Sequence, residues 1–191
     1  EGKDSSGVTA GSTDGLRGRK RSKYEGGVRV PALAEWPGHI EAGSVVDAPL
    51  STLDYFPTIR KLVGYSMPDS RPIDGSDIMP ILLGKTTERK PIPFRVGTSA
   101  SLIEGDYKLV IRNFSGAAEL YNLRNDRSET TSIADEDPKR VQRMIATLKS
   151  VEASTKDSHA GKDYGTKYSA PDPWKPLGGK GKKSKRVKTP K

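Results

Sequence analysis

The sequence predicts an α/β chain in two parts: an opening stretch of strand and helices, then a small antiparallel β-sheet with a helix packed on it. Three observations carry this. Val28, Val30, Ala32, Ala34 and Trp36 recur with period two, and two segments of helical spacing follow, each closed by a glycine. Beyond Pro91 the period-two pattern returns in paired runs around Glu104-Gly105-Asp106, as a hairpin requires. Val141, Met144, Ile145 and Leu148 then line one face of a helix opened by Asp137-Pro138, and an antiparallel sheet offers that stripe a surface.

In chain order, Glu1 to Gly15 is Gly, Ser, Thr and Asp with almost nothing apolar, a loop or a disordered lead-in. Val28 to Trp36 reads as a half-buried strand, with Pro31 favouring an edge or a beginning because it removes one backbone donor. Leu53, Phe56, Ile59 and Val63 predict a helix capped by Asp54 and closed by Gly64, with Pro57 in the first turn where its missing N–H has no partner to lose. Asp77, Pro80, Leu82, Leu83 and Gly84 repeat the pattern in a shorter helix. Strands follow at Ser99 to Ile103, Tyr107 to Arg112 and Glu119 to Leu123, then the Asp137-Pro138 helix. From Ser154 onward apolar residues thin out, and Lys175 to Lys191 is Gly, Lys and Pro, too polar to offset chain entropy by burial.

The 191 residues include no cysteine, which excludes disulfides, thiolate metal sites and a cysteine nucleophile within this chain. No run approaches the ~20 apolar residues of a membrane span. The net charge of +9 suggests a polyanion partner until it is mapped. Lys175 to Lys191 holds eight basic residues and no acidic one, which leaves about +1 for the rest. A second cluster, Arg17, Arg19, Lys20, Arg21 and Lys23, places five cations in seven positions beside glycines. Such a loop suits an oxyanion, because glycines admit close backbone approach and a lysine supplies a point charge; a merely basic surface loop has the same composition.

The order of residues around that cluster resembles the sulfatase signature of the arylsulfatase kind. Leu16-Arg17, the glycine-rich lysine segment and Tyr24-Glu25-Gly26-Gly27-Val28-Arg29-Val30-Pro31 are followed by Trp36-Pro37-Gly38. The resemblance continues through Leu53-Asp54-Tyr55-Phe56-Pro57-Thr58, Asp74-Gly75-Ser76-Asp77, Leu82-Leu83-Gly84, Gly105-Asp106-Tyr107-Lys108-Leu109 and Glu119-Leu120-Tyr121-Asn122-Leu123, then Asp126 and Glu129. It covers roughly residues 16 to 150. It implies that Lys20, four residues before the tyrosine, contacts the sulfate ester and stabilises the leaving oxygen. Arg21 stands where the family often has glycine, and Arg19 and Lys23 make the loop unusually cationic, which favours a polyanionic substrate or merely replaces neutral loop residues. His39 reads as a surface or packing residue, His159 has no assigned role, and Glu25 reads as a loop stabiliser acting through backbone hydrogen bonds.

The resemblance further implies a sulfuric ester hydrolase acting on sulfated carbohydrates or aryl sulfates, with a formylglycine nucleophile made in a Cys/Ser-x-Pro-x-Arg motif and a Ca2+ ion on carboxylate and amide oxygens. This sequence contains neither that motif nor the Asp-Asn pair of the calcium site. It therefore reads as a C-terminal part, inactive alone, that starts downstream of both. On this reading residues 1–15 are a loop, 16–90 the end of a mixed-sheet domain, 91–152 a four-stranded antiparallel subdomain with its helix, and 153–191 a polar segment with a lysine-rich tail. The 16–90 part is expected to expose apolar faces when alone. No specific nucleic-acid partner is expected, and the expected location is periplasmic or extracellular. The competing classes are a non-catalytic polyanion-binding module, with affinity falling steeply in salt, and a sulfatase-like pseudoenzyme.

Overall fold

The computed structural model describes residues 11–112 and 117–164. Its elements run α1 (Glu25–Val28), a 3-10 turn (Thr52–Asp54), α2 (Tyr55–Leu62), α3 (Met79–Leu82), β1 (Ile92–Val96), β2 (Ser99–Glu104), β3 (Tyr107–Ile111), β4 (Ala118–Asn122) and α4 (Pro138–His159). The four strands form one antiparallel meander in the order β1-β2-β3-β4. The predicted hairpin is β2–β3, closed by Gly105-Asp106 between the paired Glu104 and Tyr107. The lysine-rich tail expected at Lys175 to Lys191 lies outside the described residues.

Alternation gives the sheet two different faces. Ala100, Leu102, Leu109, Ile111 and Leu120 point to one side and pack against Met144 and Leu148 of α4, the apolar core of the molecule. Asp137 caps α4 by accepting from the Arg140 N–H, with Pro138 in the first turn, as expected. The helix runs on to His159, carried past its apolar stripe by a continuous backbone ladder. The other face holds Ser101, Lys108, Val110, Glu119 and Tyr121, and it receives the basic loop instead of a second helix. β1 carries Pro93, with Pro91 just before it, and occupies an edge, where a proline's missing N–H is tolerated.

The predicted strand from Val28 to Trp36 does not form. Glu25–Val28 closes a single helical turn, and residues 29–35 run irregular and exposed, with Val30 75% and Leu33 103% accessible. Period two marks a segment able to pair, but among the described residues no strand lies beside it to complete a ladder. Asp54 stands at the N-cap of α2 as expected, but its side chain makes no capping bond to that helix. Ser51 caps the 3-10 turn by accepting from the Leu53 N–H, while the Asp54 side chain accepts from the Ser51 N–H, the reciprocal arrangement of a capping box. Both short helices end as expected, with Tyr65 N–H on the Arg60 carbonyl and Lys85 N–H on the Pro80 carbonyl, each one residue beyond the closing glycine.

Asp54 is the centre of this first part. Its carboxylate is fully buried, accepts from the Ser51 and Ser76 backbone N–H groups, and forms a two-pronged pair with Arg89, whose side chain is 6% exposed. It thereby ties α2 to the Asp74–Asp77 loop and to the approach to β1. The outer face of α2 is left open, with Phe56, Ile59, Leu62 and Val63 all half exposed or more. This matches the expectation that residues 16–90 present apolar surface of their own.

Candidate functional site: a cationic turn seated on a charged sheet face

The basic loop folds back on itself around two glycines. Gly26 N–H donates to the Arg17 carbonyl at 2.8 Å, and a Cβ on Gly26 would lie 2.4 Å from the Gly18 carbonyl oxygen. A Cβ on Gly27 would lie 2.4 Å from the Ser22 carbonyl oxygen. Backbone sits where a side chain would go, so any other residue at either position forces the loop apart. The crossing closes a small ring of chain between Arg17 and Gly26.

At the tip of that ring is a four-residue turn, Arg19 to Ser22, with the Ser22 N–H donating to the Arg19 carbonyl at 2.8 Å. Arg21 has φ +77° and Lys20 does not share the positive φ, the pattern of a type II turn, whose third position favours glycine. The glycine position noted in the sequence is therefore a left-handed one that an arginine fills under strain. Lys20 is exposed at the outer corner of the turn. Among the described residues no carboxylate pairs with it. The Lys23 ammonium folds back toward the Arg21 carbonyl at 3.4 Å. Arg21→Gly relieves the left-handed strain and is expected to raise stability by roughly 0.5–1 kcal/mol, read as an upward shift of the urea midpoint.

Beneath the turn the loop is held by two groups of polar contacts. In the first, Tyr24 and Tyr121 both donate their hydroxyls to Glu119 Oε2, at 2.5 and 2.6 Å. Arg17 donates to the Tyr121 hydroxyl at 2.8 Å and to the Glu129 backbone carbonyl at 2.7 Å, with its guanidinium 3.9 Å from the Tyr24 ring centroid. In the second, the fully buried Lys108 ammonium lies 2.7 Å from Glu25 Oε1 and 2.9 Å from Glu129 Oε1, and Glu129 Oε2 accepts the Glu25 backbone N–H at 2.6 Å. Arg29 approaches the other oxygen of Glu25 at 3.4 Å. Glu25 was expected to hold the loop by backbone hydrogen bonds. Its backbone does make two, the N–H donating to Glu129 and the carbonyl accepting from the Arg29 N–H, but its side chain is an ion-pair member anchored to the sheet.

These contacts shift the titrations in opposed directions. Burial and then the Glu119 contact push Tyr24 up to about 12 and push Tyr121 up as well. Burial works to raise Glu119, but the two tyrosine hydroxyls with Arg112 and Arg17 outweigh it and hold the carboxyl below its ordinary range. Burial raises Glu129 against the pull of the Glu25 N–H and Lys108. A raised tyrosine stabilises the fold fully below its unfolded value and loses that contribution as pH climbs to the folded value. Stability is thus expected to fall from about pH 10 to about 12, and Tyr24→Phe to flatten that fall; urea unfolding at steps across the window, with tyrosinate absorbance followed in parallel, measures both.

The remaining candidates lie apart from this loop. His39 stacks on Trp36, ring centroids 3.9 Å apart, on an exposed turn. His159 ends α4. Among the described residues no group of three or more His, Cys, Asp or Glu is arranged to hold a metal ion, and none is a cysteine. The Cys/Ser-x-Pro-x-Arg motif that makes formylglycine does not occur in this sequence. Sequence reasoning singled out Lys20 and its loop as candidates but missed Lys108 and Glu119 as supports of the loop; the available signal was a lysine and a glutamate breaking otherwise apolar strands.

With the geometry in view, comparison with known proteins decides the family. Residues 18–156 match the family described as N-sulphoglucosamine sulphohydrolase, C-terminal. The chain belongs to this sulfatase family. The sulfatase relatives include the steryl-sulfatase of Homo sapiens, 46% identical over 83 residues that make up 43% of this chain and 14% of that protein. The N-acetylgalactosamine-6-sulfatase of Sus scrofa is 43% identical over 90 residues, 47% of this chain and 17% of that one. Among solved structures, the crystal structure of Ps i-CgsB superposes with a TM-score of 0.65 and 28% identity, over 71% of this chain and 31% of its own. The sulfatase match thus extends over the loop, the sheet and most of α4, while the chain spans between 14% and 31% of the length of these relatives. Among the described residues no helix is long and apolar enough to cross a membrane.

Proposed function

We propose that this chain supplies the sulfate-gripping part of a sulfuric ester hydrolase, with Lys20 as the cation that meets the sulfate group. The observation that carries the reading is the Arg19–Ser22 turn, which presents Lys20 at an exposed corner of a loop braced from below by buried ion pairs. An ammonium carried on a braced turn stabilises negative charge as it develops on the leaving ester oxygen. The attacking group, and the oxygens that hold a divalent cation, come on this reading from residues outside the sequence.

The substrate class is a sulfated carbohydrate or an aryl sulfate. Support comes from the relatives, whose names include an N-acetylgalactosamine-6-sulfatase and a steryl-sulfatase, and from a second structure of Ps i-CgsB solved in complex with k-i-k-neocarrahexaose. The cationic tip, with Arg19, Arg21 and Lys23 around Lys20, favours a substrate bearing several anionic groups. A periplasmic or extracellular site of action follows from the same resemblance. Sulfate release from aryl and carbohydrate sulfates by the native protein tests the proposal. Release of inorganic sulfate is expected; intact esters after prolonged incubation, with the native protein folded, would overturn it.

A further inference from the structure

We propose that Lys108 is a positioning residue for Lys20, acting through Glu25 to fix where the cationic turn sits above the sheet. The inference rests on the sulfate-contacting role proposed for Lys20 and adds the element that sets its geometry.

Lys108 lies on β3, which is paired on both sides, by β2 and by β4, so its backbone is held at a fixed height in the sheet. Its ammonium is wholly buried and has two carboxylates within 2.9 Å, one from the loop and one from the segment after β4. Glu25, the loop partner, is the first residue of the helical turn that follows Tyr24, four residues beyond Arg21. Glu129 closes the ring by receiving the Glu25 backbone N–H on its second oxygen. Both the side chain and the backbone of one loop residue are thereby referenced to a single ammonium.

A buried charge triad is a poor way to gain stability, since desolvation of three charges offsets most of their attraction, and apolar groups of the same volume do as well or better. Its physical advantage is directional. Lys108 meets Glu25 at one separation, whereas an apolar contact would let the loop slide over the sheet face. The Gly26 crossing stands directly after Glu25 and binds the strand of the ring that leads back to Arg17. A displacement at Glu25 therefore passes into the ring that carries Lys20, and a misplacement of about 1 Å at a reacting group lowers rate on the order of 100-fold.

The test is a double-mutant cycle in the native protein with a sulfate-ester substrate. Lys108→Met alone is expected to lower kcat on the order of tenfold or more. In a Lys20→Ala background the same change is expected to have almost no further effect, because the residue it positions is gone. Equal losses in both backgrounds would overturn the positioning role while leaving Lys20 in place. A Lys20→Ala variant with full turnover would overturn the role of Lys20, and with it this inference. Should Lys108→Met not fold, Glu25→Gln carries the same cycle, since it keeps side-chain volume and the backbone contact to Glu129 and removes the charge that pairs with Lys108 and, at 3.4 Å, with the half-exposed Arg29.

Discussion

Lys20→Ala is expected to lower turnover of a sulfate ester by the native protein about 100-fold or more, the size of loss that follows removal of one transition-state charge contact. The expectation rests on where the turn puts the ammonium. It is exposed at the tip of a loop whose base cannot shift, with Gly26 and Gly27 pressed against backbone and Glu25 paired to a buried lysine. A charge so placed is hydrated until an anion displaces that water, and the two charges then attract at a lower effective dielectric. Because the contact strengthens as charge moves onto the leaving oxygen, kcat falls together with kcat/KM, while a contact made equally to bound substrate would raise KM alone. A steady-state comparison of the variant with the native protein separates these cases. Unchanged kcat removes Lys20 from the reaction.

Asp54→Ala has the largest expected effect on stability, about 3–5 kcal/mol, since breaking a buried pair leaves an uncompensated charge. The Arg89 guanidinium is 6% exposed with Asp54 at 0%, so water cannot replace the lost carboxylate. The Ser51 and Ser76 N–H groups lose their acceptor at the same time. The damage is local to the packing of α2 on the Asp74–Asp77 loop, and the sheet with α4 is expected to keep its own transition. Asp54→Asn, which keeps one acceptor oxygen, falls between the two. Thermal unfolding of the three proteins gives the ranking; equal midpoints would show that the pair carries none of the stability.

Local pattern made the sheet and α4 legible. Leu109 and Ile111 alternate with Lys108 and Val110 because β3 has two faces, and Met144 and Leu148 recur four apart because one side of α4 is buried. What failed were the features that depend on a partner. Val28 to Trp36 alternates like a strand, but pairing needs a neighbour that the described residues do not place there. Pro91 and Pro93 concealed β1, which an edge tolerates and a composition scan penalises. The charged face of the sheet was invisible for a different reason. Lys108 and Glu25 are 83 residues apart, and nothing local to either states that they meet. Lys20 was legible only through a motif. Physics alone makes its loop basic and glycine-rich, and the turn that presents the ammonium emerged from the backbone.

The central claim is the proposal that this chain is part of a sulfuric ester hydrolase in which Lys20 meets the sulfate group. Release of inorganic sulfate from aryl and carbohydrate sulfates, measured for the native protein and for its Lys20→Ala variant side by side, tests it most directly. The account predicts release by the native protein and a loss of about 100-fold or more in the variant. Intact esters with the folded native protein would contradict it, and would leave the cationic turn as a polyanion-binding feature without hydrolysis.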